Sequence, residues 1–560
     1  RPFVAGSMGP TTKTILVTGG VTFEQLENSY AEQAQGLLEG GADILMLETA
    51  QDTLNVKAGL LGIDRAFQAT GRQAPIMVSC TIEVMGTMLA GQTIEAFYLS
   101  LAQRNLLCIG MNCATGPDFM TDHIRTLAGI SRFGVSVIPN AGLPDEHGVY
   151  NITPEMFTAK IERFVDEGWV NIVGGCCGTT PEHIRLLRQM VAGKPPRKAT
   201  PRRIAAVSGL EPFIIEEDKR PVLVGERTNI IGSRAFKELI VQGKWEEAAQ
   251  IARRQVRNGA QIIDVCLANP DRDEKADMQT FLPILMRKIK APVMIDSTDP
   301  KVIEAALRWS SGKAIVNSIN LEDGEERFEK IVSLIRRYGA SVIVGTIDED
   351  KQQGMAVTRE RKLQIALRSF GLLTEKYGLA PEDLIFDLLV FPVGTGDKNY
   401  FGSAAETIEG IRLLKKALPL VKTILGVSNV SFGLPTAGRE ILNAVYLRHC
   451  VGAGLDLAIV NAEKLARYAS LPQEDLRIAE NLLFWKGPGD AAHPAGFDAI
   501  VEFSAHFREK TAIKTPDHRS HLPIEERLAK NILEGSKEGL NADLDEMLKR
   551  MKPLEIINGP

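Results

Sequence analysis

Cysteine is scarce in this chain, seven in 560 residues, too few for the disulfide framework of a small secreted fold. No apolar run reaches the roughly 18 to 20 residues that span a bilayer. The opening residues, Arg1-Pro2-Phe3-Val4-Ala5-Gly6, lack the basic stretch and apolar core of a signal peptide. Neither sign of charge dominates: 65 Lys and Arg stand against 70 Asp and Glu, a net charge of −5. That balance points to no nucleic-acid partner, and the absent apolar span to no membrane. A cytoplasmic globular protein of two or three domains is the expectation.

Short β-rich apolar runs alternate with amphipathic stretches as far as about residue 465. Six runs come first, at 3–7, 44–49, 75–80, 106–113, 134–141 and 170–175. Helix starts between them carry clear signals, as at Thr153-Pro154-Glu155 and Thr180-Pro181-Glu182, with Thr as N-cap and Pro at the first helical position. Alternating βα units imply a parallel sheet, and a closed barrel of this kind needs eight strands. The expectation is an α/β barrel over 1–193 lacking about two N-terminal βα units. Residues 194–212, rich in Pro and basic side chains, read as an exposed linker.

Eight more runs follow, at 222–228, 262–267, 292–297, 314–319, 341–347, 384–390, 422–429 and 455–461. Eight βα units in about 260 residues make one complete barrel, expected over 213–512. The fold class is therefore α/β, with two consecutive (β/α)8 TIM-type barrels. Beyond Thr515-Pro516, helical patterns at Ile524, Leu528, Ile532 and at Leu544, Met547, Leu548, Met551 suggest the start of a helical domain over 513–560.

Four cysteines, Cys80, Cys108, Cys266 and Cys450, lie in apolar runs or on a helical pattern and read as buried small hydrophobes. The other three end strands of the first barrel, where active sites of such barrels sit. Cys113 closes Gly110-Met111-Asn112-Cys113, and Cys176 and Cys177 lie within Gly174-Gly175-Cys176-Cys177-Gly178. Adjacent strand residues point to opposite faces, so both sulfurs can share a ligand only if flanking glycines with φ > 0 swing them together. Three thiolates suit zinc and leave its fourth position for a substrate. Such a site would ionise a substrate thiol near neutral pH. A structural zinc with a fourth ligand elsewhere, and inert core cysteines, are the competing readings.

These motifs, with Gly178-Thr179-Thr180-Pro181 and Leu47-Glu48-Thr49-Ala50-Gln51-Asp52-Thr53, resemble the barrel of zinc-dependent homocysteine methyltransferases. The resemblance implies Cys113, Cys176 and Cys177 as zinc ligands and Glu48 as the acceptor of the homocysteine ammonium group. That family's first strand, with its Asp-Gly-Ala-Met-Gly-Thr stretch, has no counterpart here.

Strand ends of the second barrel carry amides and carboxylates: Asn229, Asp264, Asp296, Asn317, Asp387 and Asn429. Such a ring is a poor zinc site but suits a planar heterocycle, since a carboxylate can accept two N–H bonds from a 2-amino-pyrimidinone. Turn formation could account for two or three of the six. The set resembles the pterin-binding barrels of dihydropteroate synthases and methyltetrahydrofolate:corrinoid methyltransferases. With the preceding barrel, the order of motifs resembles cobalamin-dependent methionine synthases. By that resemblance Asp296, Asn317, Asp387 and Asn429 hold the pterin of methyltetrahydrofolate, joined by Asn229 and Asp264, with Asn429 near N5. The chain departs from the family where Asp387-Leu388-Leu389 replaces a frequent Asp-Pro-Asn and where Cys266 replaces a frequent Asn. The final helices resemble the start of the cap over methylcobalamin. The cobalt-ligand motif Asp-x-His-x-x-Gly is absent, its nearest approach being Asp145-Glu146-His147-Gly148.

The resemblance thus implies an enzyme fragment that moves a methyl group from methyltetrahydrofolate, through cobalamin supplied by another domain, to zinc-bound homocysteine. Its competitor is a non-catalytic module presenting both substrates to a separate corrinoid protein. Pterin synthesis is a third reading, and would need a Lys/Arg-lined pyrophosphate site, for which no cluster is evident at the strand ends.

Overall fold

The computed structural model describes residues 1–199, 203–508, 522–534 and 539–559. The first unit is a six-stranded parallel sheet in sequential order: β1 (Ala5–Met8), β2 (Ile44–Ala50), β3 (Ile76–Cys80), β4 (Cys108–Asn112), β5 (Gly134–Ile138) and β6 (Ile172–Val173). Each strand falls within or beside one of the expected runs. Thr153 caps the helix Pro154–Asp166 by accepting the Met156 N–H, and Pro fills the first turn, as the sequence signal requires.

A short antiparallel hairpin follows, β7 (Ala206–Ser208) with β8 (Pro212–Ile214). Then comes the second unit, a closed barrel of β9 (Val222–Gly225), β10 (Ile262–Val265), β11 (Val293–Asp296), β12 (Ile315–Ile319), β13 (Ser341–Gly345), β14 (Leu384–Asp387), β15 (Lys422–Gly426) and β16 (Leu457–Val460), with β16 pairing back to β9. Inward residues of alternate layers, among them Val222, Ile262, Ile315, Ile385 and Leu457, pack with Ala205, Val207 and Ile215 of the hairpin segment. The hairpin therefore plugs the N-terminal mouth of the barrel, leaving the C-terminal mouth for chemistry.

The segment read as an exposed linker is only partly so. Its residues 200–202 lie outside the described set, but Arg197 is buried, its guanidinium donating to the carbonyls of Phe133, Ala128 and Ser131. A basic side chain in a Pro-rich stretch looks solvated until a ring of free carbonyls claims it. After the barrel come helices Gln473–Phe484 and Ala499–Arg508. Helices Ile524–Glu534, Leu540–Met547 and Pro553–Asn558 close a small cluster of Ile524, Leu528, Met547 and Ile556. Residues 513–521, 535–538 and 560 of the expected helical domain lie outside the described set. Among the described residues, no helix is long and apolar enough to cross a membrane.

The two units touch through specific polar contacts. Lys57, 3% exposed on the helix Thr53–Thr70, donates to the carbonyls of Ser310 (3.0 Å) and Gly312 (2.7 Å). Gln103 donates to the Ala340 carbonyl and to Asp383, which is also paired with Lys313. Burial pushes the Lys57 ammonium down to about 7. Lys57→Met keeps the stem but leaves the Ser310 carbonyl without its donor and the Gly312 carbonyl with only Ser310 Oγ (3.4 Å), while it removes a charge that burial disfavours. Because the folded ammonium titrates at about 7 and a free one at about 10.4, wild type should gain stability relative to Lys57→Met as pH rises from about 7 towards about 10. Urea unfolding across that range checks it, and a constant difference would mean that water reaches the ammonium there.

Candidate functional site

In the first unit the three cysteines of interest all follow strand C-termini. Backbone leaves the β region abruptly after β4, with φ +57° at Cys113 and +50° at Ala114. Such angles cost on the order of 1–3 kcal/mol for residues with a side chain, so local bonds must hold them. The Cys113 N–H donates to Ile138 O (3.1 Å), and its carbonyl accepts from Thr115 (2.6 Å). Past β6, the Cys176 N–H donates to Pro139 O (2.8 Å), the Cys177 N–H to Asn140 Oδ1 (3.1 Å), and Ala141 N–H to Cys177 O (2.9 Å). Residues 138–141 after β5 thus clamp both cysteine loops.

The sulfurs of Cys113 and Cys177 are 3.7 Å apart and those of Cys176 and Cys177 4.0 Å apart, with all three inside 4.8 Å. A tetrahedral ion with bonds of about 2.3 Å separates its sulfur ligands by about 3.8 Å. The cluster fits that spacing, and its all-sulfur donor set suits zinc rather than magnesium or calcium. Burial first, then the charges of the neighbouring sulfurs, push the Cys176 thiol up to about 12, and burial also raises Cys113. Thiols so placed ionise readily only against a cation.

The expectation that flanking glycines take φ > 0 holds at Gly178 (φ +78°), while Gly174 and Gly175 remain at ordinary angles. Gly175 is needed for space instead: a Cβ there would lie 2.5 Å from Thr179. The unusual backbone sits on Cys113 itself. A Cβ on Gly178 would strike the ring of Tyr150, whose phenol is raised by burial and then by the charge of Cys177. Nothing in the sequence around Tyr150 marks it as a neighbour of the cluster.

Glu48 lies on β2, accepting from Ser7 Oγ and from Asn112 Nδ2 (3.1 Å). Asn112 is fully buried and joins three strand ends. Its Oδ1 accepts from Thr49 N–H (2.8 Å) and Ser79 Oγ (2.6 Å), and its Nδ2 also donates to Thr49 Oγ1 (2.7 Å). One amide beside Cys113 therefore fixes Glu48 relative to the sulfurs.

In the second unit a cavity of about 600 Å³ opens at the C-terminal mouth of the barrel, within the range of small-molecule sites. Asn229, Asp264, Asp296, Asn317 and Asn429 line it. Asn229 Nδ2 bridges Asp264 Oδ2 and Asp296 Oδ2, each at 3.1 Å. The other oxygen of Asp264 is buried with no partner among the described residues, a position that suits an incoming N–H. Burial, and then the Asp296 charge, hold Asp264 well above the carboxylate range, while burial pushes Asp296 up to about 6. The side-chain amides of Asn317 and Asn429 make no hydrogen bond among the described residues.

Asp387 is the exception. It closes β14 but does not line the cavity, its Oδ1 accepting instead from Leu389 N–H (2.9 Å) in a turn where Leu389 has φ +60°. The buried ammonium of Lys362 donates to the carbonyls of Ala356, Leu388 and Leu389 and holds that turn. Three basic residues absent from the strand-end reading do line the cavity: Arg227, Arg439 and Lys464. Two of them face acids, Arg227 with Glu226 (3.8 Å) and Lys464 with Glu440 (4.0 Å). Glu226 also lines the cavity, accepts from Ser428 Oγ (3.1 Å) and is raised by burial.

Residues 1–191 match the family described as homocysteine S-methyltransferase, and residues 225–461 the family described as pterin binding enzyme. The chain is 38% identical over 569 residues to the methionine synthase of Mycobacterium tuberculosis (strain ATCC 25618 / H37Rv), covering 100% of this chain and 47% of that protein. It is 38% identical over 576 residues to the methionine synthase of Mycobacterium leprae (strain TN), with the same coverage. The chain spans about half the length of these curated relatives. Among solved structures, a Xanthomonas albilineans dihydropteroate synthase in complex with indole-2-carboxylic acid and 6-chloroguanine aligns over 48% of this chain and 94% of its own, at 15% identity and a TM-score of 0.33.

Proposed function

Because this chain joins a homocysteine S-methyltransferase domain to a pterin-binding domain and is similar throughout to methionine synthases, we propose that it binds both substrates of cobalamin-dependent methionine synthesis. The first barrel holds homocysteine and the second holds methyltetrahydrofolate, and cobalamin bound by a domain outside this chain would supply the methyl-carrying chemistry between them. The observation that carries the reading is the convergence of three sulfurs within 4.8 Å at the ends of two parallel strands.

Cys113, Cys176 and Cys177 would hold a zinc ion through their three sulfurs, and the substrate sulfur would complete its ligand set. When bound, zinc keeps a coordinated thiol ionised near neutral pH, where a free thiol of pKa about 8.5 is mostly protonated. Glu48, oriented by Ser7 and Asn112, receives the ammonium group of homocysteine. In the second barrel Asp296 accepts N–H bonds from the pyrimidine edge of the pterin. Asp264, raised by burial and then by the Asp296 charge, turns its unpartnered Oδ1 to a further N–H of the same edge. Asn229 sets the spacing of those carboxyls, Asn317 meets the ring, and Asn429, on the exposed rim, hydrogen-bonds near N5. Asp387 supports the wall through its turn rather than by lining the cavity.

Free methylcobalamin and homocysteine added to the chain test the reading. Methionine formation dependent on the chain is expected. Normal binding of homocysteine and methyltetrahydrofolate without turnover would make it a module that only presents them to a separate corrinoid protein.

A further inference from the structure

Two large, strongly exposed apolar side chains of the second barrel stand at one place. Ile231 is 78% exposed and Phe432 65%, and both line the cavity floored by Asn229, Asp264 and Asp296. Single exposed apolar residues are ordinary on protein surfaces, but apolar groups gathered at the rim of a polar cavity mark a contact with a ligand.

Each is built onto an asparagine of the site. Asn229 Oδ1 accepts from the N–H groups of Ile231 (3.0 Å) and Gly232 (3.2 Å), while its Nδ2 bridges the two floor carboxyls. The Phe432 N–H donates to the carbonyl of Asn429 (3.2 Å), ending the short turn Val427–Ser431. The loops follow β9 and β15, which flank β16 in the barrel, so the two side chains share one sector of the mouth. Anything that positions the amides also positions the apolar pair.

The chemistry of a pterin decides what meets them. Its donor and acceptor edge lies on the pyrimidine ring, and N5 and C6 lie on the other ring. With the polar edge against Asp264 and Asp296, the substituent on C6 leaves through the mouth. We infer that Ile231 and Phe432 form an apolar lip that holds the benzoyl ring carried on C6 of a folate, so that the cavity selects aryl-extended pterins over bare ones. The inference rests on the pterin reading of this cavity. Phe432 supplies a ring face for stacking and Ile231 an aliphatic edge.

The test uses the whole chain and two probes, methyltetrahydrofolate and 6-methyltetrahydropterin, which lacks the benzoylglutamate. Titration of wild type, Phe432→Ala and Ile231→Ser should show the folate bound about tenfold more weakly by Phe432→Ala and about threefold more weakly by Ile231→Ser. Both variants should bind 6-methyltetrahydropterin within about twofold of wild type, since neither side chain packs in a core. Equal folate affinity in all three proteins overturns the lip and leaves the pterin reading standing, even if methyl transfer to free cobalamin then falls. Equal losses for both probes also overturn it, because the side chains would then contact the bicyclic head. A wild type that binds neither probe removes the pterin reading, and the lip with it.

Discussion

Cys176→Ser should leave the first barrel without zinc, abolish methyl transfer to homocysteine and leave folate binding by the second barrel unchanged. Elemental analysis of the wild-type chain should find close to one zinc per chain, falling towards zero in the variant. The expectation rests on spacing: sulfurs at 3.7 Å and 4.0 Å from Cys177 already match a tetrahedral set, and serine is a far weaker ligand for this ion. Without the metal, a thiol of pKa about 8.5 is only a few per cent ionised at pH 7. Ionisation alone then removes about 30-fold in rate, and lost orientation of the sulfur takes the deficit beyond about 100-fold. Cys108→Ala is the control, since that cysteine is buried inside β4 and outside the cluster. Full zinc content in Cys176→Ser would place the metal elsewhere and end the thiolate mechanism.

The parts of this protein that repeat were legible in its sequence, and the parts that occur once were not. Alternating βα runs located all fourteen strands of the two main sheets to within a few residues, because a buried parallel strand needs a continuous apolar run bounded by turns. The cysteine cluster was legible too, since three sulfurs at strand ends must meet near one mouth if the strands are parallel. Closure of the second sheet by β16 on β9 agrees with the count of eight. The hairpin of β7 and β8 escaped because strands of three residues in a Pro- and Gly-containing stretch look like a connector.

Single polar residues escaped for a different reason. The sequence pattern assigns no role to Asn112 or Asn140, and only the fold shows that one locks Glu48 beside Cys113 and the other holds the Cys177 backbone. Asp387 shares its strand-end position, and its place in the pterin-barrel resemblance, with the residues that line the cavity. The left-handed backbone at Leu389 turns its carboxyl into a local hydrogen bond, and no pattern of residue types announces that. Arg439 and Lys464 reach the cavity from a helix and a loop rather than from strand ends, so a strand-end census passes over them, and Arg227, between β9 and Asn229, is passed over by a census of amides and carboxylates.

Asp296→Asn should make the chain more stable and unable to hold folate. In the folded protein burial pushes the Asp296 carboxyl up to about 6, against about 3.9 in an unfolded chain. The folded state therefore binds the extra proton between those values. The stability this group adds is complete below about pH 3.9 and is lost as pH rises through about 6. At pH 7 the ionised carboxylate opposes folding by on the order of 2–3 kcal/mol. An amide removes that opposition and can still accept from Asn229 Nδ2. Thermal unfolding should thus show the variant above wild type at pH 7–8, with the difference shrinking towards pH 4. Folate binding moves the other way, because the carboxylate is what receives the N–H pair of the pyrimidine edge. Hydrogen bonds to a charged group are worth about 1.5–3 kcal/mol each, so losing two weakens methyltetrahydrofolate at pH 7 by about 100-fold or more. Wild-type affinity should fall as pH drops through about 6 and the carboxylate takes its proton. In Asp296→Asn that dependence should be absent. A variant that is stabilised yet binds folate as tightly as wild type would show that the pterin edge is read elsewhere, and the buried pair of Asp264 and Asp296 would then be a structural strain with no ligand to relieve it.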